Sequence, residues 1–244
     1  MSTLAYTRSE LLRTFRNRRF FVFSLGFPLV LYVLIAAPNR GEHDLGGSGI
    51  SAPLYLMIGL ATLGTMNSIL GAGARIALER TAGWTRHLRA TPLRPRAYFA
   101  TKVLTGYLTA LVTVAVLYAA GASLGVRLPA SEWLGMTGLL LVGLLPFAAL
   151  GIMLGHLVGV DALGPAIGGT TGLLSFLGGA WFPLGPGFLH DVAQALPSYW
   201  LVQASAVSRG GGGWSAVGWL VVLGWTVVLA AAALWAYRRD TQRA

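Results

Sequence analysis

Hydrophobic residues run along this chain in long unbroken stretches, with charged residues acting as fences between them. The uncharged stretches are 20–39, 45–74, 103–126, 133–160, 162–189 and 210–237. Each holds the roughly 20 residues a helix needs to cross a hydrocarbon core about 30 Å thick. The pattern therefore predicts an all-α membrane protein with six transmembrane helices in a single transmembrane domain, 1–244. A seventh uncharged stretch, 192–208, is too short to span and is interrupted by Gln194, Pro197, Ser198 and Gln203.

Outside the spans the pattern changes. Residues 2–19 place Leu4, Leu11, Leu12 and Phe15 on one helical face, with Glu10, Arg13 and Arg16 elsewhere. That predicts an interfacial helix, 1–19, lying along the membrane. Between spans five and six, 184–213 is punctuated by proline and glycine into two short helical pieces, about 187–196 and 198–208. Trp181, Phe182, Tyr199, Trp200 and Trp214 surround them and are expected to form an aromatic belt. Gly151, Gly155 and Gly159 in span four and Gly164, Gly168 and Gly172 in span five recur every fourth residue. Two such ridges, joined by a short turn, predict a tight hairpin with close backbone contact.

Composition agrees with the membrane class: 55% of residues are hydrophobic, only 11% are charged, and the mean hydropathy is +0.66. The net charge of +10 comes with no continuous basic face for a phosphate backbone, so no nucleic-acid partner is expected. Sidedness explains the charge better. The N-terminal segment, the 75–102 connector and the tail hold fifteen of the eighteen Arg and Lys residues, leaving Arg40, Arg127 and Arg209 for the other side. Both termini and the connector are thereby expected in the cytoplasm of a multi-pass inner or plasma membrane protein. The first apolar run starts only at Phe20 and no small-x-small cleavage site precedes the acidic loop, so no cleavable signal peptide is expected.

Several chemistries find no support. Cysteine is absent, which removes thiol catalysis and thiolate metal sites. Thr101 precedes the single lysine, Lys102, so the Gly-Lys-Ser/Thr core of a P-loop cannot form. The four histidines, His43, His87, His156 and His190, show no metal-binding helical spacing. No acid lies at mid-span, where an ion-coupled carrier would keep one. No catalytic, metal or cofactor site is expected in this chain.

The connector holds the remaining signal. Glu79 to Lys102 reads ERTAGWTRHLRATPLRPRAYFATK, with six basic residues, one acid and two prolines. Its first half suits a surface helix that Pro92 and Pro95 terminate. The order of Glu79, Arg80, Gly83, Leu88, Ala90, Thr91, Pro92 and Leu93, then Lys102 at the head of an apolar span, resembles the cytoplasmic signature of ABC type-2 exporter permeases. The likeness extends to the interfacial helix, the six spans and LPSYW at 196–200, while Trp84 and Thr81 depart from the common pattern.

The resemblance implies a transport subunit without its own nucleotide site, moving an amphiphilic substrate such as a drug, antibiotic or lipid-like molecule. ATP and magnesium would belong to a separate ABC ATPase, expected in two copies, and a second permease chain would complete a homodimer or heterodimer in the bilayer. Glu79, Arg80, Gly83, Trp84, Arg86, Leu88, Thr91 and Pro92 are the implied ATPase-coupling surface, on a cytoplasmic coupling helix between spans two and three. Asn67, Ser68, Thr170, Thr171 and Ser175 are candidate polar points of a substrate path. Sodium or polysaccharide export in the same family stays open, as does a membrane-embedded enzyme using His43, His156 or His190. The abundance of arginine, alanine, glycine and leucine suggests a bacterial genome rich in G and C.

Overall fold

The computed structural model describes residues 3–17, 22–82, 95–210 and 212–243, and every regular element among them is helical. Helix α1 covers Thr3–Phe15. A π-helical turn, Val22–Gly26, leads into α2, Phe27–Ala36, where Pro28 occupies the first turn and so removes no intrahelical bond. Helix α3 runs over Ala52–Thr81 and α4 over Pro95–Ser123. Helices α5, Ala130–Gly143, and α6, Leu145–Leu157, join through Leu144 ahead of Pro146, whose ring cannot accept a continuous helix. Helix α7 covers Val160–Leu177, α8 Phe188–Gln194, α9 Pro197–Val202 and α10 Ala216–Arg243.

Among the described residues, four helical stretches are long and apolar enough to cross a membrane: α3, α4, the α5–α6 pair and α10. The two other predicted spans appear as shorter helices. The first is Ser24–Ala36, and the second is α7, which carries Pro165 and a run of glycine and threonine.

Helix α3 is the axis of the bundle, flanked by α2, α4, α6 and α7, while α10 lies outside against α6. Its apolar window is 89% buried, against 22% for α10, so α10 has the surface of a helix facing lipid and α3 that of one facing protein. Met57, Ile58, Leu60, Met66, Ile69 and Leu70 of α3 fill the core with Tyr32, Leu117, Met136 and Phe147. Glycines set how closely the neighbours approach. A β-carbon on Gly73 would overlap the Gly151 backbone, and one on Gly155 would lie 2.6 Å from the Gly73 carbonyl oxygen. Without side chains there, α3 and α6 touch backbone to backbone, as small residues allow in membrane helices.

This contact corrects the expected hairpin between spans four and five. Gly151 and Gly155 face α3 rather than α7, and open space surrounds the β-carbon positions of Gly159, Gly164, Gly168 and Gly172. Spacing identifies a ridge but not the helix it meets, because any neighbour can fill a groove without side chains.

The aromatic belt is corrected for three of its five residues, while Phe182 is exposed and Trp181 half-buried. Tyr199, Trp200 and Trp214 are buried and pack with Ala193 and Val222. The Trp200 indole donates to the Gln194 carbonyl at 2.9 Å and the Trp225 indole to that of Ala195 at 2.8 Å. These bonds satisfy carbonyls left over at the end of α8. Every residue of α9 is buried at the end of the bundle away from the connector, and α8 buries Ala193 against it.

Candidate coupling site at the connector end

Helix α3 continues past the uncharged stretch and takes Arg75, Glu79 and Arg80 into its last two turns. Consecutive residues on a helix point about 100° apart, so Glu79 and Arg80 face different neighbours. Each seats in its own polar cluster.

Glu79 is 3% exposed. One carboxylate oxygen accepts from Lys102 of α4 at 2.5 Å and the other from the Tyr98 hydroxyl. The Lys102 ammonium also donates to Glu10 of α1 at 2.6 Å and lies 5.4 Å from the Tyr98 ring centre. Arg75 donates to the Thr14 hydroxyl, which in turn donates to the Glu10 carbonyl at 2.9 Å. The hydroxyls of Thr7 and Thr101 meet at 3.0 Å. Arg13, largely exposed, closes the rim 3.8 Å from Glu79.

Unpaired, such charges would cost several kcal/mol each to bury. Here Glu10 and Glu79 balance Lys102 and Arg75, and the glutamate and ammonium groups are hydrogen-bonded. The cluster therefore joins α1, α3 and α4. Burial, then the charges of Glu79 and Glu10, raise the pKa of the nearby Tyr6 hydroxyl, so it stays neutral.

Arg80 faces the other way. Its guanidinium pairs with Asp240 of α10 at 3.0 Å and donates to the carbonyls of Gly155 and His156. Those carbonyls lie in the last turn of α6 and have no intrahelical partner, so the arginine caps that helix end. The His156 ring nitrogen Nδ1 lies 3.0 Å from the second Asp240 oxygen. Phe99 and Tyr237 meet the imidazole edge-on, with ring centres 5.9 and 5.5 Å away. This second cluster joins α3, α6 and α10 and touches α4 through Phe99.

Among the residues implied for coupling, Glu79 is thus buried against Lys102, and Arg80 is half-buried against Asp240. Gly83, Trp84, Arg86, Leu88, Thr91 and Pro92 lie outside the described residues. Among the candidate path residues, Ser68 is buried and donates to the Gly64 carbonyl of its own helix at 2.9 Å. Thr171 and Ser175 are buried on α7, with the Ser175 hydroxyl 4.0 Å from Met66 of α3. The Thr171 hydroxyl makes no hydrogen bond among the described residues. Asn67 and Thr170 are half-buried. Among the described residues, no group of three or more His, Asp or Glu converges as a metal site would require.

Sequence reasoning missed Glu10, Arg75, Tyr98 and Asp240 as site residues, and Lys102 served only as a marker of the next span. A signal existed for two of them. Lys102 is the single lysine at the head of a span, and Glu10 is the single acid of α1. Neither fact names a partner.

A buried helical axis, long apolar helices around it and ion clusters at one end define a multi-pass helical membrane protein. Residues 1–208 match the family model described as ABC-2 type transporter, and the chain belongs to that family. It is the membrane permease of a transporter rather than an enzyme, and permeases of this family work with an ATPase partner. It is similar to a Bacillus subtilis (strain 168) protein named "Putative transport permease YvfS", with 30% identity over 196 residues and 78% of each chain covered.

Proposed function

We propose that this chain is the transmembrane subunit of an ATP-driven exporter that moves an amphiphilic substrate out of a bacterial cell. A separate P-loop ATPase would bind ATP and magnesium. In this reading α2 and α7 complete six crossings, and the termini and the 83–94 connector face the cytoplasm. Two permease chains enclose the substrate path, with Asn67, Ser68, Thr170, Thr171 and Ser175 as its sparse polar points.

The observation that carries the reading is the pair of clusters on the last turn of α3. The connector begins immediately after that turn. A push delivered there by an ATPase reaches α1 and α4 through Glu79, and α6 and α10 through Arg80. Coupling requires contacts that differ between two states, and short paired charges transmit displacement without sliding as apolar side chains can. Glu79 and Arg80 would then act beneath the ATPase contact, as the joint between connector and bundle.

The test is co-reconstitution with a P-loop ATPase that co-purifies with this chain. ATP should drive accumulation of an amphiphilic dye in inside-out vesicles, and Arg80→Gln should lower transport while leaving basal ATP hydrolysis. Dye uptake that is indifferent to ATP in the presence of an active ATPase would overturn the reading.

A further inference from the structure

The chain leaves the bundle at the end of α3 and re-enters it at Pro95, the start of α4. Consecutive residues divide between the two clusters at both of these stems. On α3 they are Glu79 and Arg80. On α4 they are Tyr98, which is buried and gives its hydroxyl to the Glu79 carboxylate, and Phe99, which turns to His156 and Tyr237 with ring centres 5.9 and 5.2 Å away. The contacts differ in kind. Phe99 meets its neighbours through ring edges, whereas the hydroxyl-to-carboxylate bond is charge-assisted and directional. Lys102, one turn further along α4, occupies the other Glu79 oxygen at 2.5 Å. Two donors four residues apart on α4 therefore hold one carboxylate of α3.

We propose that Tyr98 is a positioning residue for coupling: its hydroxyl fixes the end of α3 on the start of α4, so that both stems of the connector follow the ATPase as one lever. Two bonds to separate oxygens set the plane of the Glu79 carboxylate, and with it the angle between the stems. Without the hydroxyl, Lys102 alone bonds the carboxylate directly, and a group held at one point swings. A displacement entering at α3 then changes the angle between α3 and α4 before it reaches the helices behind them. The Tyr98 ring also lies 5.4 Å from the Lys102 ammonium and 6.0 Å from the Tyr6 ring of α1, contacts that phenylalanine would keep. Removing the oxygen alone therefore isolates the tie. Further along the same seam, an added β-carbon on Gly106 would lie 3.2 Å from that of Ala72. Ala72 is about two turns from Glu79, so a covalent link there holds the same two helices without touching the cluster.

This role rests on the reading of the chain as an ATP-driven permease. The full-length chain is reconstituted with its co-purifying ATPase, and dye moved per ATP hydrolysed is measured well below the melting temperature. Tyr98→Phe should lower that ratio several-fold while ATP hydrolysis continues. In a second chain, Ala72→Cys with Gly106→Cys can form a single disulfide, because the sequence has no other cysteine and the β-carbons stand near the roughly 3.5–4.5 Å that the bond needs. The Ile69 methyl that an added Gly106 β-carbon would meet at 2.7 Å is the mobile end of its side chain. Oxidation of this pair should leave the ratio unchanged with Tyr98 present and restore it in Tyr98→Phe, and reductant should reverse the rescue. A residue that only stabilises the fold gives no such reversible recovery. A native ratio in Tyr98→Phe overturns the proposal, as does loss of transport when the pair is oxidised with Tyr98 present, or a Tyr98→Phe ratio that oxidation leaves low. If ATP drives no transport by the unsubstituted chain, the ATP-driven reading falls and this role with it.

Discussion

Glu79 and Arg80 are consecutive on the last turn of α3, yet their side chains belong to separate clusters. The Glu79 carboxylate lies 2.5 Å from the Lys102 ammonium of α4, and the Arg80 guanidinium 3.0 Å from Asp240 of α10. One helix turn therefore holds both the N-terminal and the C-terminal parts of the bundle. The two clusters differ in burial, so their loss should differ in magnitude.

Lys102→Met removes the one cation that bonds Glu10 and Glu79 directly and leaves two buried carboxylates against Arg75 alone, with Arg13 only at the rim. Breaking a buried pair by removing one partner costs about 3–5 kcal/mol, so this variant should show a marked fall in melting temperature in detergent. The double variant Glu79→Gln, Lys102→Met removes one charge of each sign, keeps Glu10 to balance Arg75 and should recover much of the loss. A double variant less stable than Lys102→Met would contradict the account.

The Arg80–Asp240 pair is 30% and 23% exposed, and solvent screens it. A double-mutant cycle on Arg80→Ala and Asp240→Ala should give about 1 kcal/mol or less of coupling. Its larger effect should fall on transport driven by the ATPase, measured as substrate moved per ATP hydrolysed.

Glycine substitutions separate the two ridges. Gly73→Ala forces a methyl group into the Gly151 backbone, and overpacking of this kind costs about 1–3 kcal/mol. Gly168→Ala meets open space in the single chain and should leave its melting temperature nearly unchanged. If the α7 ridge serves a second chain, Gly168→Leu should weaken self-association, read by crosslinking or native electrophoresis, without unfolding the protomer.

Sidedness can be read with single cysteines at exposed positions. His43→Cys and Asp191→Cys should react with an impermeant maleimide added to intact cells, and Thr81→Cys should react only after permeabilisation. The reverse pattern would invert the proposed orientation.

Part of the candidate coupling site was visible in the sequence and part was not. Glu79 and Arg80 stood out because they lie in the charge-rich connector, and the resemblance rests partly on them. Their depth in the bundle did not show: a polar residue at the end of an apolar run reads as exposed until a countercharge arrives from elsewhere. Glu10 lies 92 residues from its partner Lys102, and His156 lies 84 from Asp240. No local period links residues that far apart.

What the sequence by itself determined follows from sums over neighbouring residues. Hydropathy added along a stretch gives helices of membrane-crossing length, the excess of arginine distinguishes the connector end, and proline and glycine locate α8 and α9. Only the tertiary structure decided which helix became the axis, which partner received the Gly151–Gly155 ridge, and which acid met Lys102. Those outcomes depend on how each helix is rotated and raised against the others. Close packing and the cost of an unpaired buried charge select that arrangement across the whole bundle at once.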